Sequence, residues 1–224
     1  MINNLSYRWD SFVFDSLAHH LISGLATLNV VQTDSQQAQL LAYVALLHKW
    51  NAAYNLTAIR QPDDMLVKHV FDALSVQNQL PSGGRWIDVG SGGGIPGLIL
   101  AIADPSRTWT LLDSNGKKTR FLTQATLELG LASRVSVVHS RAEDHHQHYD
   151  GVIARAVTET ADFIGFTQHL CADQGAWWLM KGQYPQAELD QLPDSIVTST
   201  TELHVPSLDA QRWLVRCQRQ EVVS

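Results

Sequence analysis

The 224-residue chain has only two cysteines, Cys171 and Cys217, far apart and in no Cys/His metal spacing. That excludes a disulfide-stapled scaffold and a zinc module, and it fits reduced thiols in the cytoplasm. Long apolar runs are missing as well. The longest nearly unbroken one, residues 95–103, contains Pro96 and Gly97 and falls well short of the ~20 residues a membrane helix needs. The first thirty residues hold no basic segment followed by an apolar one. Asp10 and Asp15 sit where such a run would lie, so no secretory signal and no membrane partner are expected. Positive charge is scarce: 16 Lys and Arg against 22 Asp and Glu give a net charge of −6. A protein that coats nucleic acid nonspecifically is therefore excluded, although a local basic patch is not. There is no internal repeat or low-complexity run, and 45% hydrophobic with 17% charged residues excludes a disordered chain.

What is present falls into two regimes of periodicity. Residues 1–16, with Tyr7, Trp9, Phe12 and Phe14 among polar neighbours, show no clear period and read as an extension. Thr33-Asp34 ahead of Gln36-Gln37 is an N-cap signature. Leu40, Tyr43, Val44, Leu47 and Trp50 follow at helical spacing. Residues 51–57 read as a turn, with Asn51 and Asn55 as turn or cap residues and Trp50, Tyr54 and Leu56 as core anchors. A second helix starts at Pro62, with Asp63 and Asp64 where the helix dipole favours them. It runs through Leu66, Val70, Phe71 and Leu74 toward Pro81. On it Lys68 and Asp72, four apart, are expected to pair weakly, and His69 reads as structural.

From Arg85 the pattern changes. β-rich runs at 85–89, 108–113, 134–138, 151–154 and 176–180 alternate with helix candidates at 96–103, 117–129 (closed by Gly130) and 159–170. This alternation is the mark of a parallel sheet covered on both faces. Two last runs, 196–203 and 212–217, are close enough to form an antiparallel pair. The expected architecture is a doubly wound, mostly parallel α/β domain over 82–224, behind an extension and helical cap over 1–81.

The strand Trp86-Ile87-Asp88-Val89 runs into Gly90-Ser91-Gly92-Gly93-Gly94, and Pro96 stands where the next helix begins. In such sheets the ligand lies beyond the carboxyl ends of the strands, where this loop is. The loop alone does not name its ligand. Gly92-Gly93-Gly94-Ile95-Pro96-Gly97 also fits the G-x-G-x-x-G dinucleotide fingerprint, so a nicotinamide enzyme stands beside an S-adenosylmethionine enzyme. Asp113 closes the next strand, about twenty residues on, where an acidic side chain binds ribose hydroxyls in either class. Ala142-Glu143-Asp144 follows the third strand, and an acceptor there suits an exocyclic amine such as that of adenine. His145, His146 and His148 have no partner ligand at regular spacing and read as a loop rather than a metal site.

Beyond the loop, several segments together resemble the bacterial ribosomal RNA small subunit methyltransferase G family, also called glucose-inhibited division protein B. They are Lys49-Trp50-Asn51-Ala52-Ala53-Tyr54-Asn55-Leu56-Thr57-Ala58-Ile59, Lys68-His69-Val70-Phe71-Asp72 and the run from Ile87 to Gly97. Leu111-Leu112-Asp113-Ser114, Lys117-Lys118, Ser140-Arg141-Ala142-Glu143, Ala154-Arg155-Ala156 and Lys181-Gly182 continue the match. The resemblance spans about residues 35–217. It implies a Rossmann-like class I methyltransferase fold using S-adenosyl-L-methionine, and methylation of nitrogen 7 of guanine 527 in 16S rRNA. The implied partner is the small ribosomal subunit in the cytoplasm; a monomer without metal is expected. Carried over by position, Gly90, Gly92 and Ile95 contact the cofactor from the loop, Asp113 holds its ribose, and Ala142 and Glu143 hold its adenine side. Arg155 lies in the methyl-transfer pocket, as a catalytic residue that also touches the cofactor. Gly93 and Ile95 are the loop positions that depart from the family's usual residues.

The chemistry agrees with that implication. Guanine nitrogen 7 has a lone pair and no proton, so methylation needs positioning and charge stabilisation rather than a general base or covalent nucleophile. The sequence accordingly has no Asn/Asp-Pro-Pro-aromatic motif, and neither cysteine has a proline-rich context. Lys117, Lys118, Arg141, Arg155 and Lys181 each follow a strand, which places them on the carboxyl edge within reach of RNA. Arg155 cannot lose its charge; beside a sulfonium it is expected to meet an RNA phosphate or the cofactor carboxylate. Three rival functions stay open: a nicotinamide oxidoreductase, a small-molecule methyltransferase, and a non-catalytic RNA-binding protein that keeps an unused pocket.

Overall fold

The apolar runs of the second half alternate in direction along each strand, and both directions end in helices. A computed structural model describes residues 11–156 and 158–220. Seven strands form one sheet: β1 (Arg85–Val89), β2 (Thr108–Asp113), β3 (Val135–His139), β4 (Tyr149–Arg155), β5 (Cys171–Lys181), β6 (Ile196–Glu202) and β7 (Trp213–Arg219). Their order is β3-β2-β1-β4-β5-β7-β6. The first five are parallel, and β7 runs antiparallel to both β5 and β6. The expected antiparallel pair is therefore present, but β7 is inserted between β5 and its own predecessor.

Each face carries its own core. Trp86, Trp109, Ile153 and Trp178 pack on one side, and Ile87, Leu112, Val152 and Trp177 on the other. Neighbours in sequence thus go to opposite faces, as the pleat requires. The first face is covered by α1 (Ser11–Thr27), α2 (Asp34–Tyr54), α5 (Gly97–Ala103) and α6 (Gly116–Glu128), and the second by α7 (Thr160–Thr167). The crossover from β3 to β4 reverses the strand order and sets β4 beside β1, so a crevice opens at the carboxyl ends of these two strands.

The N-terminal half departs from the sequence reading in several places. The extension expected over 1–16 is helical from Ser11; its first ten residues, with Tyr7 and Trp9, lie outside the described residues. The reason is Leu17, Leu21 and Leu25, whose spacing of four builds a buried stripe. In α2 the expected cap is a full capping box, Thr33 Oγ1 accepting from Gln36 N–H and the Gln36 side chain from Thr33 N–H. The expected turn at 51–57 begins later, because α2 continues to Tyr54 and ends on left-handed Asn55 at φ 51°. Asn51 is buried inside the helix, accepting Thr57 N–H and donating to Ile59 C=O, so it fastens the following loop. Tyr54 is no core anchor: it is 38% exposed and stacks on Trp50.

The helix expected from Pro62 runs without interruption to Leu74, but its middle is a wider π-helical turn (Leu66–Phe71) between α3 (Pro62–Met65) and α4 (Asp72–Leu74). Lys68 pairs backward with Asp64 at 2.9 Å instead of with Asp72. His69 in the π turn and Asp72 just after it are both buried, and both meet Arg155 at the end of β4. A short α8 (Gln186–Leu189) follows β5. No helix among the described residues is long and apolar enough to cross a membrane.

Candidate active site

Two neighbouring strands hold the glycine loop. Gly90 and Ser91 both donate their N–H to Leu112 C=O, at 2.8 and 3.0 Å. Gly90 and Gly92 sit at φ 77° and 57°, a left-handed conformation that glycine adopts at no steric cost. This turns Gly92 N–H onto Asp113 Oδ2 at 2.9 Å, while Asn115 N–H donates to Oδ1 at 2.8 Å. Asp113 is thereby fixed with one lone pair spare on each oxygen. Lys118 Nζ lies 3.6 Å from the same carboxylate. From the N-terminal cap, buried Tyr43 donates its hydroxyl to Gly93 C=O at 2.8 Å. Burial drives that phenol far above its ordinary pKa, with Arg155 opposing, so it stays a donor.

Asp88, at the end of β1, is fully buried. Its Oδ2 accepts Gly97 N–H at 2.8 Å, and its Oδ1 has no partner among the described residues. Burial pushes its carboxyl up to about 7, against the lowering influence of the Gly97 and Ser91 hydrogen bonds and of Arg155.

Below the loop opens a cleft of about 460 Å³. It brings together six of the residues singled out from sequence: Gly90, Asp113, Lys118, Arg141, Ala142 and Glu143. Val89, Leu112, Ser114, Ser140, Thr158 and Phe166 complete its lining, and sequence reasoning gave none of them a site role. Phe166 had a signal, since with Phe163 it sets a three-residue aromatic spacing on α7. Gly92 shapes the wall through its bond to Asp113. Ile95 is buried in the core at 6% exposure and does not line the cleft. Lys117 is exposed on the first turn of α6, outside the lining.

A second cavity, about 190 Å³, adjoins the ends of β4 and β5. Arg155 and Lys181 lie here rather than in the larger cleft. Arg155 Nη1 donates to Lys68 C=O and to Asp72 Oδ2, both at 2.8 Å. Arg212 Nε donates to Asp72 Oδ1 at 2.9 Å. The partner that a permanent cation demands is thus a carboxylate of the chain itself. Asp72 and Arg212 were not assigned this role from sequence, and no local spacing signals it. Arg155 Nη2 also lies 3.3 Å from His69 Nδ1, whose Nε2 meets Thr57 Oγ1 at 2.9 Å. Burial first, and Arg155 second, bring the His69 pKa down to about 4, so the ring is neutral. Ala156, next to Arg155, holds φ 53°, a strained conformation for a residue with a Cβ and one that clusters at functional sites. Lys181 Nζ is engaged by Glu188 Oε2 at 2.6 Å and by Thr158 C=O.

Outside these cavities, His145 Nε2 meets Tyr149 Oη at 2.7 Å and His169 Nε2 approaches two backbone carbonyls. No group of three or more His, Cys, Asp or Glu among the described residues is arranged to hold a metal.

Comparison with known proteins bears on the same residues. A family model described as rRNA small subunit methyltransferase G matches residues 36–215. The chain is 51% identical over 191 residues to the ribosomal RNA small subunit methyltransferase G of Hydrogenovibrio crunogenus, covering 84% of this chain and 88% of that one. It is 48% identical over 213 residues to the protein of the same name in Stutzerimonas stutzeri, covering 93% and 99%. Among solved structures, a protein of Agrobacterium tumefaciens described as a predicted O-methyltransferase superposes with a TM-score of 0.56 at 18% identity, covering 67% of this chain and 81% of that one. At that identity the likeness speaks for the fold alone: a class I methyltransferase sheet with an antiparallel seventh strand.

Proposed function

The chain belongs to the rRNA small subunit methyltransferase G family, and from that premise we propose that it transfers a methyl group from S-adenosyl-L-methionine to nitrogen 7 of guanine 527 in 16S rRNA. One observation carries the cofactor part. Asp113 is pinned by Gly92 and Asn115 N–H at the rim of a 460 Å³ cleft that also holds Glu143. The fit is good on chemical grounds. The spare lone pairs of Asp113 suit a ribose diol, exposed Glu143 suits the adenine amine, and the volume is that of a small-molecule site.

The nicotinamide alternative fits less well. A pyrophosphate needs free N–H groups at the start of the helix after the loop. Here residues 93–103 are all buried, Pro96 has no N–H, and Gly97 N–H is used by Asp88. Gly94 and Gly97 serve packing instead: a Cβ would lie 2.7 Å from Leu98 at the first and 2.6 Å from Asp88 at the second.

S-adenosylmethionine, when bound, supplies a methyl group on a sulfonium. The chain's own residues orient and neutralise. Gly90 and Gly92 let the cofactor approach the backbone, Asp113 and the Ala142-Glu143 pair bind its nucleoside, and Arg155 acts on the substrate side from the second cavity. Because nitrogen 7 presents a lone pair, no side chain has to take a proton. Exposed Lys117 and Arg141 meet RNA phosphate directly; Lys118 does so from the cofactor rim, and Lys181 by exchanging Glu188 for phosphate. An enzyme with this acceptor works in the cytoplasm, where the subunits are.

The test is methyl transfer from labelled S-adenosylmethionine to small subunits that lack the modification, followed by digestion and mass spectrometry. Label in 7-methylguanosine at position 527 is expected. Cofactor binding without label on RNA refutes the acceptor and points to a small molecule.

A further inference from the structure

Next to the second cavity stands an aromatic pair that methyl transfer does not use. Tyr184, on the segment leaving β5, is 45% exposed. Its ring meets that of Trp213 edge to face, with centroids 4.8 Å apart. Trp213 is paired in register with Lys181, and Arg212, which lines the cavity, directly precedes it. The pair therefore sits on the carboxyl edge of the sheet, beside the cavity mouth. Trp213 Nε1 has no partner among the described residues, and the contact of this indole with Tyr184 is made through its ring. Around the mouth, the cations Arg155, Lys181 and Arg212 face the two carboxylates of Asp72 and Glu188, a surplus of one positive charge.

We propose that Tyr184, braced by Trp213, is a stacking platform for an unpaired base of the acceptor RNA adjacent to the base being methylated; this rests on the rRNA reading above. An enzyme that acts on a base draws it out of its stack, which leaves the neighbouring base without a partner. An exposed tyrosine offers that base a face regardless of its identity. Because Trp213 already fixes the ring, little freedom is lost on contact. The cationic surplus favours the phosphates on either side.

The experiment compares Tyr184→Ala and Tyr184→Phe with Leu127→Ala, a control at a 60% exposed position near the far end of α6. The substrate is unmodified small subunits, and binding is also followed by co-sedimentation without turnover. Tyr184→Ala is expected to raise KM for subunits, and weaken co-sedimentation, roughly tenfold, the size of one lost base stack. Its kcat and its affinity for S-adenosylmethionine should stay within about twofold of the parent. Tyr184→Phe should restore KM and Leu127→Ala should leave it alone. An unchanged KM in the alanine variant overturns the platform, as does a phenylalanine variant as weak as alanine. Photo-crosslinking from position 184 to a ribosomal protein instead of 16S rRNA overturns it too. A parent protein that binds subunits through Tyr184 yet transfers no methyl would sink the proposed function and leave the platform standing.

Discussion

Replacing Asp72 with alanine should unfasten the N-terminal cap from the sheet at one point. Asp72 is 1% exposed, and each of its oxygens holds a different arginine, Arg155 at 2.8 Å and Arg212 at 2.9 Å. Three chain segments far apart in sequence meet on this carboxylate. Its removal leaves two guanidinium groups beside each other with no counter-charge. Breaking a fully buried pair costs about 3–5 kcal/mol. Here the arginine side chains keep 23% and 25% exposure, so water recovers part of that, and Arg155 keeps its bond to Lys68 C=O. The expected loss is about 3 kcal/mol for the site as a whole, near the lower end of that range. In a domain of this size it corresponds to a melting temperature lower by roughly 6–12 °C. Urea unfolding should show the lower midpoint with an unchanged m-value. A double-mutant cycle with Arg212→Ala should return a coupling of about 1–2 kcal/mol. A loss below ~1 kcal/mol, or strict additivity with Arg212→Ala, would show that this carboxylate does not hold the two arginines energetically, whatever the distances.

Tyr43→Phe removes the hydroxyl that holds Gly93 C=O; stability should fall by about 1 kcal/mol, and titration calorimetry should show weaker S-adenosylmethionine binding. Unchanged affinity would mean the loop keeps its shape without the cap. Gly24→Ala places a Cβ 2.1 Å from the Phe71 ring, so thermal melts should register a loss of about 1–3 kcal/mol despite alanine's better helix propensity, and combining it with Phe71→Leu should cost less than the sum of the two changes. Two buried groups pull stability in opposite directions with pH. Asp88, raised to about 7 by burial, binds more protons folded than unfolded, so it lowers stability as pH rises from about 4 to about 7. His69, lowered to about 4, binds fewer protons folded, so it raises stability as pH climbs from about 4 to about 6.5. Asp88→Asn should therefore show a steeper rise of stability over that window than the parent, and His69→Gln a flatter one. Parallel pH profiles for parent and Asp88→Asn would contradict the assigned shift.

Much of the candidate cleft's lining was legible in the sequence, and for a definite reason. The glycine loop, Asp113 and Glu143 belong to successive strand–helix units, and each lies where its own strand ends. Once the runs from Arg85 onward are read as parallel strands, those ends share an edge. Ile95 shows the limit of transfer by position. It stands inside the loop motif, yet its side chain turns into the core, because the loop's direction depends on left-handed glycines and not on sequence distance. The π turn was equally hidden, since the apolar residues from Leu66 to Phe71 suit any helix.

By itself the sequence determined the alternation of strands and helices, the capping box of α2, the glycine turn and the carboxylate that closes β2. All of these rest on spacings of a few residues, where periodicity and backbone preference act directly. Only the tertiary structure decided that β7 enters between β5 and β6, and that Tyr43 reaches Gly93 across 50 residues. It also decided that Asp72 gathers Arg155 and Arg212 from 83 and 140 residues away. Those choices are made by burial and by the need of buried charges for partners, forces that act through space and leave no period in the chain.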